Sequence, residues 1–153
     1  MIKLDNILIP TDFSDYSRPA AEYACALAKQ LGGKIHVVHV FESPIMAMLS
    51  PDDPFPETLL ADMEGNANKK LHAWYFPELE QIADVTRALI HGSPFVEILR
   101  YSRDNNIDLI VLGTHGRSGL MHVLIGSVAE KIVRKASCPV LTVRPHGYQF
   151  VMP

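Results

Sequence analysis

With 153 residues, 48% of them apolar and 20% charged, the chain has the size and composition of one globular domain with a single core, and is unlike a disordered segment. Fourteen Lys and Arg against seventeen Asp and Glu leave a net charge of −3, which argues against a nucleic-acid surface held by phosphate contacts. No apolar run approaches the ~20 residues needed to span a bilayer, and Met1–Asp5 lacks the long apolar region of a secretion signal, so a cytoplasmic protein with no membrane partner is expected.

In chain order, Asn6–Ile9 is a short apolar run ended by Pro10, the pattern of a buried parallel strand. Ala20, Ala24, Leu27 and Leu31 then recur at helical spacing, with Pro19 tolerated in the first turn and Gly32-Gly33 ending the helix. Ile35–Phe41 reads as the second strand. Residues 42–56 carry four prolines with Met46 and Met48 and are expected to form an irregular flap. A second helix is expected over Glu57–Phe76, with Leu60, Met63, Ala67 and Leu71 on one face, more weakly packed than the first.

Val85–Ile90 is the third strand, and His91-Gly92-Ser93-Pro94 turns into a helix with Ser93 as N-cap, Pro94 at its first position and Ile98 and Tyr101 facing inward. Ile107–Leu112 is the fourth strand. The last helix begins at Ser127, with Glu130 three residues on as a capping box, and Pro139–Val143 is the last strand. Cys25 and Cys138 have neither a CxxC partner nor metal-ligand spacing and are expected to be reduced structural thiols.

Five strands alternating with helices predict an α/β fold of the doubly wound, Rossmann-like kind. Its five-stranded parallel sheet has the order 3-2-1-4-5, with helices on both faces. The expected unit is a single domain over residues 1–145, with a tail over 146–153. A ligand in such a sheet lies beyond the carboxyl ends of the strands where the winding reverses, between the first and fourth strands. There Pro10-Thr11-Asp12 faces the glycine-spaced stretch Gly113–Gly119 followed by Gly126-Ser127.

A strand that runs into glycines and then a helix start offers backbone N–H groups and the positive end of a helix dipole, so the expected occupant is an anion. A carboxylate opposite such a loop suits a nucleotide. Asp12 can accept from ribose hydroxyls or an adenine amine, while the glycine loop and the N–H groups of Ser127 and Val128 hold phosphates. Plainer readings stand beside these: the glycines could serve only the turn, Asp12 could bond its own backbone, and Arg117 could point to solvent. A Walker-type loop and a dinucleotide fingerprint both belong after the first strand, yet no glycine occurs before Gly32. His36 and His39 fall on opposite faces of a strand, and His115 and His122 lie within a loop, so no metal site is expected.

Together, Gly113-x2-Gly116-x9-Gly126-Ser127 and Pro10-Thr11-Asp12 resemble the motifs of the universal stress protein family, in its ATP-binding branch. The resemblance extends over nearly the whole chain, including His39-Val40 and Gly92-Ser93-Pro94. It implies a stress-response protein that binds ATP, ADP or AMP as a homodimer. By position, Pro10, Thr11, Asp12 and Val40 would surround adenine and ribose, while Gly113, Gly116, Arg117, Gly126, Ser127 and Val128 would meet the phosphates. Any Mg2+ would be held mainly by phosphates and water, with no protein residue as its ligand.

With one arginine in the loop and no Walker lysine, the expected role is a nucleotide-dependent binder or regulator with no catalytic residue. A slow ATP hydrolase or nucleotidyl transferase, and a scaffold with an empty site, are the alternatives. The strand within residues 139–144 should lie at a sheet edge and pair with a second copy of the chain.

Overall fold

The computed structural model of the protein describes residues 4–42, 57–115, 125–145 and 147. Its strands are β1 (Asn6–Pro10), β2 (Lys34–Phe41), β3 (Val85–His91), β4 (Leu109–Gly113) and β5 (Val140–Val143). They form one all-parallel sheet in the order β3-β2-β1-β4-β5, the order expected. The central strand β1 pairs Ile7 with Ile35 on one side and with Leu109 on the other.

Alternation along the strands divides the core into two layers. Ile7, Ile9, Ile35 and Val37 point toward α1 (Arg18–Leu31), α2 (Glu57–Ala73) and the short α3 (Pro77–Glu80), which bring Ala24, Leu71 and Leu79 against them. Leu8, Val38 and Ile110 point the other way, toward Ile98 of α4 (Pro94–Asp104) and Ile132 of α5 (Ser127–Lys135). No helix among the described residues is long and apolar enough to cross a membrane.

Local chemistry explains most boundaries. Gly32 closes α1 in the left-handed conformation at φ 72°, a geometry that costs glycine little. Within α1 the small residues Ala20, Ala24, Cys25 and Ala28 are buried against the sheet, whereas Leu31, expected on the inner stripe, is exposed. The second helix ends at Ala73, three residues earlier than expected. Pro77 disfavours a helical conformation at the residue before it, and Phe76 is extended at φ −156° and ψ 156°. Pro77 then opens α3, which the periodicity did not indicate, and α3 buries Leu79.

Both expected side-chain caps are absent. Ser93 is the N-cap of α4, with Pro94 at the first helical position as expected, but its side chain makes no capping hydrogen bond. At α5 the N-cap is Gly126, whose carbonyl accepts the Glu130 N–H at 2.9 Å. Ser127 is already helical, so its hydroxyl does not take the capping position and the box with Glu130 does not form. The Glu130 carboxylate pairs with Arg134 at 3.0 Å instead. The flap beyond Glu42 and the tail beyond Pro145, Gly147 excepted, lie outside the described residues.

Candidate functional site

The β1–β4 pairing brings the two loops that leave these strands to one point above the sheet, where a cleft of about 730 Å³ opens. That volume is in the range of small-molecule sites. Pro10, Thr11, Asp12, Val40, Gly113, Gly126, Ser127 and Val128 all border it. Gly116 and Arg117 lie outside the described residues, as does His122.

The loop after β1 is held by its own short polar side chains. The Thr11 N–H donates to the Val38 carbonyl at 2.9 Å, and the Thr11 carbonyl accepts from His39 Nδ1 at 2.8 Å. The Phe13 N–H donates to Thr11 Oγ1 at 3.0 Å, and Thr11 Oγ1 also hydrogen-bonds Ser17 Oγ at 3.1 Å. Asp12 Oδ1 accepts the Ser14 N–H at 3.0 Å and the Ser14 hydroxyl at 2.5 Å, the side-chain turn that its plainer reading described. The carboxylate therefore has a fixed orientation and still borders the cleft. Phe13 adopts φ 64°, a conformation rare for a bulky residue.

Gly113 has a packing reason beyond any contact with a phosphate. A Cβ there would lie 2.6 Å from the Tyr16 carbonyl oxygen, so only glycine lets the two loops close on each other. The next residue ties the β4 loop to its own far end. The Thr114 N–H donates to the Val143 carbonyl at 2.9 Å, while the Thr114 carbonyl accepts the Gly126 N–H at 2.6 Å. That bond sets the start of α5 directly beside the end of β4.

It also commits the Gly126 N–H, so Gly126, expected to meet the phosphates, borders the cleft with its N–H already engaged. The N–H groups of Ser127, Val128 and Ala129 are the first in the helix and have no intrahelical acceptor. Among the described residues no side chain caps them, and all three residues border the cleft. The positive end of the α5 dipole thus lies at the cleft.

Three features of the site were not legible in the residue pattern. The Phe13 ring lies against the His39 ring, centroids 4.2 Å apart. Pro94 and Ile98 of α4 form an apolar wall. Met63, Asn66, Ala67 and Lys70 of α2 form a mixed apolar and polar wall; their i, i+3, i+4, i+7 spacing is a usable signal, masked because two of the four are polar.

Elsewhere the thiols behave as structural groups. Burial, with Glu78 and then Glu22 nearby, pushes the Cys25 thiol up to about 12, and burial also raises Cys138. Neither borders the cleft. Among the described residues no group of three His, Cys, Asp or Glu could hold a metal ion. His36 faces away from His39 and pairs through Nδ1 with the Tyr101 hydroxyl at 3.0 Å.

Comparison with known proteins places the chain. The model of the family described as the universal stress protein family matches residues 3–144. Universal stress protein MJ0531 of Methanocaldococcus jannaschii is 32% identical over 139 residues, covering 90% of this chain and 81% of that protein. Among solved structures, the universal stress protein UspA from Lactobacillus plantarum superimposes with a TM-score of 0.80 at 26% identity, covering 93% of this chain and 99% of that one. A universal stress protein from Archaeoglobus fulgidus, solved in complex with dAMP, shares the fold with a TM-score of 0.63 at 21% identity, covering 93% and 98% of the two chains.

Proposed function

Because the chain belongs to the universal stress protein family, we propose that it is a stress-response protein that binds an adenine nucleotide, ATP or its products ADP and AMP, and acts as a nucleotide-dependent binder. The observation that carries this reading is the start of α5. Three backbone N–H groups that no described side chain caps lie at a cleft whose other side presents the oriented carboxylate of Asp12. A helix start of this kind attracts phosphate, and a fixed carboxylate accepts from an amine or from sugar hydroxyls. The dAMP bound by the Archaeoglobus relative is a ligand of that chemistry.

In this reading Pro10, Thr11, Asp12 and Val40 meet adenine and ribose, while Ser127 and Val128 meet phosphate together with Gly116 and Arg117 of the β4–α5 connection. Gly113 and Gly126 shape the site without donating to the ligand, Gly126 because its N–H is held by Thr114. A divalent ion fits as a passenger on the phosphates. The cleft carboxylates among the described residues are Asp12, engaged by Ser14, and Glu42, and they form no three-ligand cluster.

The same residues favour holding over cleaving, since the oriented carboxylate is bound into its own turn instead of being poised as a base. The strand β5 lies at the sheet edge with Val140, Leu141 and Thr142 partly exposed, and a second copy of the chain is the proposed cover.

Mass analysis of ligand released from protein purified without added nucleotide, followed by calorimetric titration, tests the reading. Binding of ATP, ADP or AMP at micromolar or better affinity is expected, and no binding of any of the three overturns it. Turnover with Mg2+ at about 1 s⁻¹ or faster, the ordinary enzyme range, would replace the binder by a hydrolase. A clean monomer by sedimentation at high micromolar concentration would remove the dimer.

A further inference from the structure

We propose that Lys70, on α2, is a ligand-binding side chain that takes a phosphoryl group of the nucleotide from the side of the cleft opposite the α5 N-terminus; the inference rests on the nucleotide reading above. Met63, Asn66, Ala67 and Lys70 border the cleft at the spacing of one helix face. That face is held in place by the core, because Ala67 is buried within it and Leu71, the residue after Lys70, is fully buried.

Among the described lysines and arginines, Lys70 alone borders the cleft. Several other cations are engaged: Lys29 donates to Gln81 at 2.6 Å, Lys34 pairs with Asp84 at 2.8 Å, and Lys131 sits over the Phe95 ring. The Lys70 ammonium makes no ion pair or hydrogen bond among the described residues. Its position in the last turn of α2 suits the helix dipole. The dipole accounts for a cation near that helix end and does not account for one on the cleft face.

The two sheet faces give the cation its use. Helix α2 packs on the face that carries α1, and α5 packs on the other, so the ammonium and the α5 donors approach the cleft from opposite sides. A phosphoryl oxygen is the chemistry both can hold, whether it belongs to the 5′ chain or to a phosphate on the ribose. A lysine on a flexible stem suits this as a point charge whose reach adapts to the ligand.

The test is calorimetric titration of the full chain as wild type, Lys70→Gln and Lys70→Arg with adenosine, 5′-AMP, ATP and adenosine 3′,5′-bisphosphate. Lys70→Gln is expected to weaken phosphorylated ligands by about tenfold, in line with a hydrogen bond to a charged group, and to leave adenosine unchanged, with Lys70→Arg restoring most of the loss. A loss that grows from 5′-AMP to ATP assigns the contact to the 5′ chain, and a loss confined to the bisphosphate assigns it to the ribose side. Equal losses for adenosine and the phosphorylated ligands, or no loss for any of the four, overturn the role of Lys70 while the nucleotide reading stands. Wild-type protein that binds none of the four overturns both.

Discussion

The ring of Phe13 lies against the ring of His39, with centroids 4.2 Å apart and planes tilted by 32°, and His39 Nδ1 donates to the carbonyl of Thr11 two residues before Phe13. One buried imidazole thus supports both the backbone and the side chain of the loop that presents Asp12. The loop needs that support because Phe13 is held at φ 64°. The left-handed conformation costs a residue with a Cβ about 1–2 kcal/mol, and the hydrogen bonds of Thr11, Ser14 and Ser17 together with the stacked ring offset it.

Two substitutions at Phe13 separate ring from backbone. Phe13→Ala loses the ring and keeps the strain, while Phe13→Gly loses the ring and relieves the strain. Phe13→Gly should therefore be more stable than Phe13→Ala by about 1 kcal/mol in urea unfolding. Equal stabilities would mean that the φ angle carries no cost.

Ser127→Pro tests the donor role of the α5 N-terminus with little disturbance to the fold. Proline is favoured at the first helical position, and Gly126 before it is extended at ψ 153°, a conformation that accepts a following proline. The variant should melt within a few degrees of the wild type and lose about tenfold in affinity for ATP, with little change for adenosine. Unchanged ATP affinity would show that this N–H does not meet the ligand.

His36 sets a pH dependence at the end of the sheet away from the cleft. Desolvation by burial lowers its pKa below 6.5, against a smaller raising effect from Asp84 and a lowering one from Lys34. With the folded value below the unfolded one, the unfolded chain binds the proton first as pH falls. The contribution is therefore intact above about pH 6.5 and is lost as pH drops below it. Thermal melts between pH 8 and 5 should fall less steeply for His36→Gln than for the wild type, and parallel curves would contradict the assignment.

Thiol labelling should distinguish the two cysteines. Cys25 is 2% exposed with its pKa pushed up to about 12, whereas Cys138 is half-buried and raised less decisively. Alkylation at pH 8 should modify Cys138 first and Cys25 only after denaturation, because the thiolate is the reactive species. Rapid labelling of Cys25 in the native protein would indicate that α1 opens.

Residue pattern alone determined the parallel sheet, its order and the meeting of the first and fourth loops. Runs such as Asn6–Ile9 and Leu109–Leu112 are apolar on both faces, and right-handed crossovers leave few ways to wind them. It also named eight residues that border one cleft, since a switch point follows from strand order. Only the tertiary structure decided which groups within those loops remain available. The Gly126 N–H is used by Thr114, Ser127 is helical and not a cap, and Gly113 answers to the carbonyl of Tyr16. The left-handed turn at Phe13, and the turning of Asn66 and Lys70 toward the cleft beside Met63 and Ala67, likewise emerged only once the chain was folded. The physical reason is one of range. Periodicity and turn chemistry act over a few residues and specify the elements, whereas a donor's last partner, a cap's dihedral angles and the face a helix turns to a cleft depend on atoms far along the chain.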